Sequence, residues 1–305
     1  MSCSVNIVVL NLALMVIASC VIAVPANYGV PRGSLVSVVV DGVEYSPLEY
    51  HRKHHLFRNM YPDETMWPIG ADGMVVVPYQ LGVGVNKLMM ERAMRKWEKD
   101  TCIRFREMAA TEVKEGGYLQ IKNAKECTAN VGINPDYPSV LKIEDACTDK
   151  GFIHELAHVM GFAHETSRSD RDKYVHVHRE NVDSAALYDL YYGIIATNNF
   201  DVPFDYNSIM IASEGGTEGK LVVVSLNPLY QTAMGSDLRP TEVMPSFMNT
   251  KTMNRIYKCV ETNLKTCKLK KDPCLNHGYM GPACACLCPP GTSGKNCQVL
   301  EMSYQ

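Results

Sequence analysis

Along this chain apolar residues come first as an unbroken run and only later as patterned stripes. Asn6 to Val24, NIVVLNLALMVIASCVIAV, carries no charge. At an N-terminus, with small residues near Ala23, such a run predicts a secretory signal peptide over residues 1–23. Its length approaches a membrane span, so a retained anchor is the alternative. No second run of comparable length follows. Residues 24–59 combine a strand-like stretch, SLVSVVVDGVEY, with a basic cluster, HRKHHLFR. They read as a propeptide, or as a plain N-terminal extension, with the mature chain beginning near Asn59 to Tyr61.

From residue 60 the pattern becomes periodic. GMVVVPYQL reads as a strand. NKLMMERAMRKWEKD places Met90, Ala93, Met94 and Trp97 at i, i+3, i+4 and i+7, one face of a helix with Asn86 as its cap. In TCIRFRE, Ile103 and Phe105 alternate with polar residues as in a strand, and YLQI and VLKI are further short strands. NVDSAALYDLYYGI predicts a helix, KLVVVSL a strand or a short ordered loop, and TKTMNRIYKCV one last helix with Met253, Ile256, Tyr257 and Val260 on one face. Strands and helices in this order predict an α+β domain.

Length and charge add bounds. The 305 residues suffice for one large domain and smaller pieces. A net charge of −3 gives no electrostatic ground for nucleic acid or an anionic membrane as partner. The seventeen methionines read as core filler.

Cysteine usage agrees with export. Of twelve cysteines, Cys3 and Cys20 leave with the signal and ten remain, an even number that predicts a disulfide framework. Six of them crowd between Cys267 and Cys297, among turn-forming residues. A piece this small buries too little apolar surface to fold unaided, and three disulfides make up the deficit. A zinc–thiolate cluster is the alternative, which the exported N-terminus disfavours.

The chemistry concentrates in FIHELAHVMGFAHETSRSDRDKYV, Phe152 to Val175. His154 and His158 are four apart, so a helix sets both imidazoles on one face, one turn apart. Ile153, Leu156, Ala157 and Met160 lie on the neighbouring face and anchor the helix in a core. Gly161 ends a helix readily and turns the chain back, which brings His164 towards the other two. Three neutral imidazoles on one zinc ion leave positions open for water and substrate, the catalytic rather than the structural arrangement. Glu155 adjoins the first ligand and is the candidate general base of a zinc-activated water. His176 and His178, in YVHVHREN, have strand-like spacing and read as surface residues. His51, His54 and His55 precede the folded domain and are assigned no metal.

The segment HELAHVMGFAHETSRSDRDKYV resembles the active-site signature of the astacin family of zinc endopeptidases, within the metzincins; Phe162, Glu165 and the run Ser167 to Asp172 narrow the likeness to astacins. DYNSIM, Asp205 to Met210, is similar to the family's Met-turn, with Met210 beneath the metal. Cys102, Cys127, Cys147 and Cys259 match the family's four, and the resemblance implies the pairs Cys102–Cys259 and Cys127–Cys147. It also implies a two-lobed metzincin catalytic domain over residues 60–260 with a central zinc cleft. One Zn2+ per chain is expected on His154, His158 and His164, with Glu155 catalytic and protein or peptide substrates. An edge strand near CTANVG would pair with extended substrate. Residues 261–301 resemble the EGF-like module often appended in this family, with a protein partner or a simple capping role. The protein is expected to be secreted, with no membrane contact once its signal is cleaved.

Three departures stand out. The family's Met-turn continues Met-His-Tyr, and that tyrosine is a metal ligand that swings away to stabilise the transition state; here Met210 is followed by Ile211 and Ala212. The propeptide lacks a Phe-x-Gly-Asp element; Asp41 in VVVDGVEY has different surroundings. Between Cys127 and Cys147 the usual glycine-glutamine element is missing. The expectation is therefore a secreted zinc-dependent endopeptidase with turnover lowered by Ala212. A secreted zinc-binding protein of little or no activity, acting through protein contacts, is the alternative.

Overall fold

The computed structural model describes residues 66–301 except 110, 113–114, 145, 183–187, 189–190, 196, 213–219 and 235–242, together with the backbone of four short strands nearer the N-terminus. In a first unit, Met1–Leu35, strands Ser4–Leu10 (β1) and Ala13–Ser19 (β2) pair antiparallel. In the second, Val36–Gln305, Val38–Val40 (β3) pairs with Val43–Tyr45 (β4). The region around Ala23, Asp41 and the basic cluster with His51, His54 and His55 lie outside the described residues.

The patterned strands form one five-stranded sheet. Val75–Leu81 (β5) buries Val75, Val77 and Tyr79 and exposes Val76. A parallel neighbour needs a long crossover, which the helix Lys87–Glu98 (α1) supplies before Ile103–Glu107 (β6). The Asn86 side chain accepts the Met89 amide at 3.2 Å, capping α1 as its sequence predicts. Met90, Ala93, Met94 and Trp97 are all buried. Leu119–Asn123 (β7), Thr128–Ala129 (β8) and Ser139–Ile143 (β9) complete the order β6-β5-β7-β9-β8. Only β8 runs antiparallel to its neighbour, and it forms the sheet edge in the CTANVG stretch.

Helix Asp149–Val159 (α2) starts at Thr148, whose hydroxyl accepts the Gly151 amide. Its apolar face packs on the same core as the sheet and α1: Phe152, Ile153, Leu156 and Val159 join Val75, Trp97, Ile121 and Leu141. Each such side chain contributes about 1.5–3 kcal/mol by burial, enough to fix the helix that carries the histidines.

Farther along, Val175–Val177 (β10) pairs antiparallel with Val223–Ser225 (β11), so KLVVVSL holds a strand. Val175, Tyr192, Phe204, Ala212 and Val223 form a second apolar cluster there. Half of the residues of the helix predicted in NVDSAALYDLYYGI fall outside the described residues.

The single last helix is corrected to two, Phe247–Ile256 (α3) and Cys259–Thr266 (α4). Met253, Ile256, Tyr257 and Val260 are buried as their spacing predicts. Lys258 between them takes a left-handed φ of 53°. The apolar stripe runs in phase across the break, so periodicity alone does not reveal it.

All ten downstream cysteines are paired. Cys102–Cys259 and Cys127–Cys147 match the pairing implied by the resemblance. Cys267–Cys284, Cys274–Cys286 and Cys288–Cys297 staple the C-terminal segment, which removes the zinc–thiolate alternative. This segment holds two small hairpins, Tyr279–Met280 (β12) with Cys286–Leu287 (β13) and Thr292–Ser293 (β14) with Val299–Leu300 (β15). It is fastened to α3 and α4: Lys251 donates to the His277 carbonyl at 2.9 Å, and Asn263 to that of Met280 at 3.0 Å. Among the described residues no helix is long and apolar enough to cross a membrane.

Candidate metal centre

On α2 the His154 and His158 rings lie 4.6 Å apart, centroid to centroid, at 87°. The third imidazole arrives through the chain reversal after the helix. Gly161 has φ +88°, its amide donates to His158, and the Phe162 amide reaches back to Ala157. These two bonds form a Schellman cap. A side chain at Gly161 would sit in a disfavoured backbone region and press on Met66 Sδ at 3.1 Å. Beyond the turn, His164 Nε2 lies 3.3 Å from His154 Nε2. One ring nitrogen from each of the three histidines falls within 4.8 Å of the others.

The donor set fits a metal ion. His154 Nδ1 donates to the Ile209 carbonyl at 2.7 Å, and His158 Nδ1 to that of Phe162 at 2.6 Å. A carbonyl only accepts, so both Nδ1 atoms carry the hydrogen and both Nε2 atoms keep a lone pair. His164 is hydrogen-bonded to the Tyr191 backbone as well. Burial pushes His154 down to about 4 and His158 to about 3, and holds His164 well below its ordinary value. All three are thus neutral imidazoles at physiological pH, the form that ligates.

The C-terminal carbonyls of the metal helix are held by distant residues. Trp67 Nε1 donates to Val159 at 2.7 Å and the Tyr257 hydroxyl to Met160 at 3.0 Å. Trp97 Nε1 donates to Ile153 at 3.1 Å, so both tryptophans of the chain anchor this one helix.

Beneath the histidines runs DYNSIM. Met210 is fully buried, its carbonyl accepts the Glu165 amide at 2.8 Å, and its amide donates to Ser208 Oγ at 3.0 Å. The first turn of α3 braces the segment. Asn249 Oδ1 accepts the Ile209 amide at 3.1 Å and the Ser246 amide at 3.2 Å, while its Nδ2 donates to Ser208 Oγ at 2.7 Å. Ser246 Oγ donates to Asp205.

The Ser167 to Asp172 run is structural. Arg168 donates to Glu165 at 2.8 Å, to both Asp170 oxygens, and to the Val202 and Pro203 carbonyls. Glu165 Oε1 also accepts the Asp205 amide at 2.9 Å. Burial pushes the Glu165 carboxyl up to about 7, against the pull of Arg168. Arg171 donates to the Thr166 and Tyr192 carbonyls.

Glu155 is buried on α2 between the two helical histidines. Ala212 is buried in the second apolar cluster and offers no hydroxyl. His176 is exposed and His178 partly so on or beside β10, surface positions as the sequence predicts. Sequence reasoning missed Tyr191, whose ring lies 5.7 Å from His164, and the Ser246–Asn249 brace; neither has a local pattern that would mark it.

With this geometry in hand, comparison with known proteins decides the family. The family model described as Astacin, a peptidase family, matches residues 63–258. The chain belongs to the astacin family. Zinc is therefore the metal implied for the three imidazoles, which fit it. Among relatives, Protein SpAN of Strongylocentrotus purpuratus is 31% identical over 234 residues, 73% of this chain and 36% of that protein. Zinc metalloproteinase nas-23 of Caenorhabditis elegans is 31% identical over 265 residues, 82% of this chain and 45% of that protein. The astacin chain thus matches less than half the length of either relative. Among solved structures, High choriolytic enzyme 1, a hatching enzyme zinc-protease from Oryzias latipes, aligns with a TM-score of 0.57 at 26% identity, covering 66% of this chain and 98% of that one.

Proposed function

We propose that this astacin is a secreted zinc-dependent endopeptidase that hydrolyses peptide bonds of extracellular proteins. The observation that carries the reading is the convergence of His154, His158 and His164 on one point, two of them with Nδ1 bonded to a carbonyl. His154, His158 and His164 would hold a zinc ion there, and when bound it would supply Lewis acidity to the scissile carbonyl and the attacking water. The Glu155 carboxylate takes a proton from that water and passes it to the leaving amine nitrogen, so the peptide C–N bond breaks as a C–O bond forms. Substrate lies extended along β8, the sheet edge, pairing through its main chain.

The catalytic domain spans residues 60–260 in two lobes, one around the five-stranded sheet and one around β10 and β11, with the cleft between. Residues 1–23 act as a signal peptide and 24–59 as a propeptide whose latency does not use a Phe-x-Gly-Asp aspartate. Residues 261–301 form an EGF-like module, a reading supported by their three disulfides and two hairpins; it caps the catalytic domain or binds a protein partner. Because Ala212 supplies no hydroxyl, transition-state stabilisation is reduced, by about 10²–10³ in rate for one lost donor.

Cleavage of casein by the purified mature chain, with and without a chelator, tests this function. Chelator-sensitive cleavage that zinc restores, and that is absent from a zinc-loaded Glu155→Gln variant, is expected. Chelator-insensitive cleavage, or none at all, overturns it.

A further inference from the structure

A second pair of histidines repeats the ring geometry of the metal helix. On the strand β10 and the residue after it, His176 and His178 have ring centroids 4.6 Å apart at 82°. For His154 and His158 the values are 4.6 Å and 87°. The spacing is i, i+2 instead of i, i+4, and it reaches the same result because alternate residues of an extended chain share a face.

The backbone under this pair is fixed. His176 stands in the ladder opposite Val224. The His178 amide donates to the Val222 carbonyl at 2.7 Å, and its own carbonyl accepts the Asn181 amide at 3.0 Å. Asn181 Nδ2 in turn donates to the Leu221 carbonyl at 2.8 Å.

Glu180 adds an independent pointer. Its Oε1 lies 2.9 Å from His178 Nδ1. The bond with His178 holds the Glu180 carboxyl below its usual range, so it is an anion and an acceptor. Nδ1 is thus the donor to Glu180, and Nε2 is the ring nitrogen left to face an ion. A carboxylate behind an imidazole is the outer-shell partner that fixes the ring and raises its basicity in metal sites. His178 is part-exposed, with its side chain at 32% accessibility, and His176 is exposed, so an ion reaches both from solvent.

We propose that His176 and His178, oriented by Glu180, form a second, weaker site for a divalent ion that favours imidazole, such as Zn2+ or Cu2+, outside the three-histidine centre. Two protein nitrogens bind such an ion, and water fills its remaining positions. Occupancy ties β10 to the turn at Arg179–Asn181. The ion is borderline-soft; Ca2+ and Mg2+, which demand oxygen ligands, are rejected.

The test is equilibrium dialysis of the mature chain against increasing free Zn2+, followed by metal analysis. Wild type is expected to take up one ion tightly and a second more weakly. His176→Gln and His178→Gln are each expected to retain the tight ion and to weaken the second more than tenfold. Glu180→Gln weakens it by about tenfold. Thermal unfolding gives a separate readout: excess Zn2+ raises the midpoint of wild type more than that of His176→Gln. Wild type saturating at one ion, or a second ion whose affinity neither histidine substitution changes, overturns the proposal. Loss of the tight ion alone, with the weak one retained, would count against the three-histidine centre and leave this site standing.

Discussion

His154 Nδ1 donates to the main-chain carbonyl of Ile209 at 2.7 Å, across 55 positions of sequence. That bond orients an imidazole from the α2 helix with a carbonyl from the turn beneath it. The turn is itself held by Asn249, which binds the Ile209 amide and the Ser208 hydroxyl. Asn249→Ala leaves the buried Ile209 amide without this partner, at about 1–3 kcal/mol, and strips Ser208 Oγ of one of its two donors. The variant is expected to unfold at lower temperature and to hold zinc about 10- to 100-fold less tightly. Thermal melts and chelator competition measure the two effects separately.

Arg168 carries the second structural prediction. It is buried, pairs with the buried Glu165 and closes on the Val202 and Pro203 carbonyls. Removing Arg168 takes a donor from the Val202 and Pro203 carbonyls and from Glu165, which then protonates, at about 1–3 kcal/mol for each buried group left unsatisfied. Arg168→Met is therefore expected to lower stability on that scale in denaturant titration. A double variant with Glu165→Gln recovers part of the loss.

Ala212 sets a prediction on rate. Ala212→Tyr places a hydroxyl where the proposed reading of the Met-turn puts a tyrosine, and kcat is expected to rise by up to about 10²–10³ at equal zinc content. Unchanged turnover in a folded, zinc-loaded variant would show that Ala212 does not limit this enzyme.

The buried imidazoles make metal-free protein acid-sensitive. Their folded values, about 4 for His154 and about 3 for His158, lie below the unfolded value of 6.5. The unfolded chain thus binds more protons below pH 6.5, and stability falls as pH drops. Each histidine adds a slope of about 1.4 kcal/mol per pH unit until its folded value is reached. Urea unfolding of chelated protein between about pH 7 and 4 reads this directly; saturating zinc, which binds only the folded form, raises stability at each pH where it stays bound.

Much of this was legible in the sequence because it is local. The α1 stripe, the alternation in β5 and β6, and the histidine frame with Gly161 all sit within a few turns of chain, where periodicity reports burial. The pairs Cys102–Cys259 and Cys127–Cys147 followed from resemblance, whereas the connectivity of the six C-terminal cysteines came only with the structure. Contacts between polar tips far apart in sequence were not legible. Trp67 to Val159, Tyr257 to Met160 and Asn249 to Ser208 join residues 92, 97 and 41 positions apart. Their residue types are common in ordinary cores and caps. The break at Lys258 was hidden for a different reason, since the apolar stripe continues in phase across it.

Zinc content after exhaustive dialysis, compared between the wild-type chain and His164→Ala, tests the three-imidazole centre most directly. The account predicts one retained ion per wild-type chain and essentially none in the variant. Equal retention by both proteins, or a folded wild type that keeps no zinc, would contradict it.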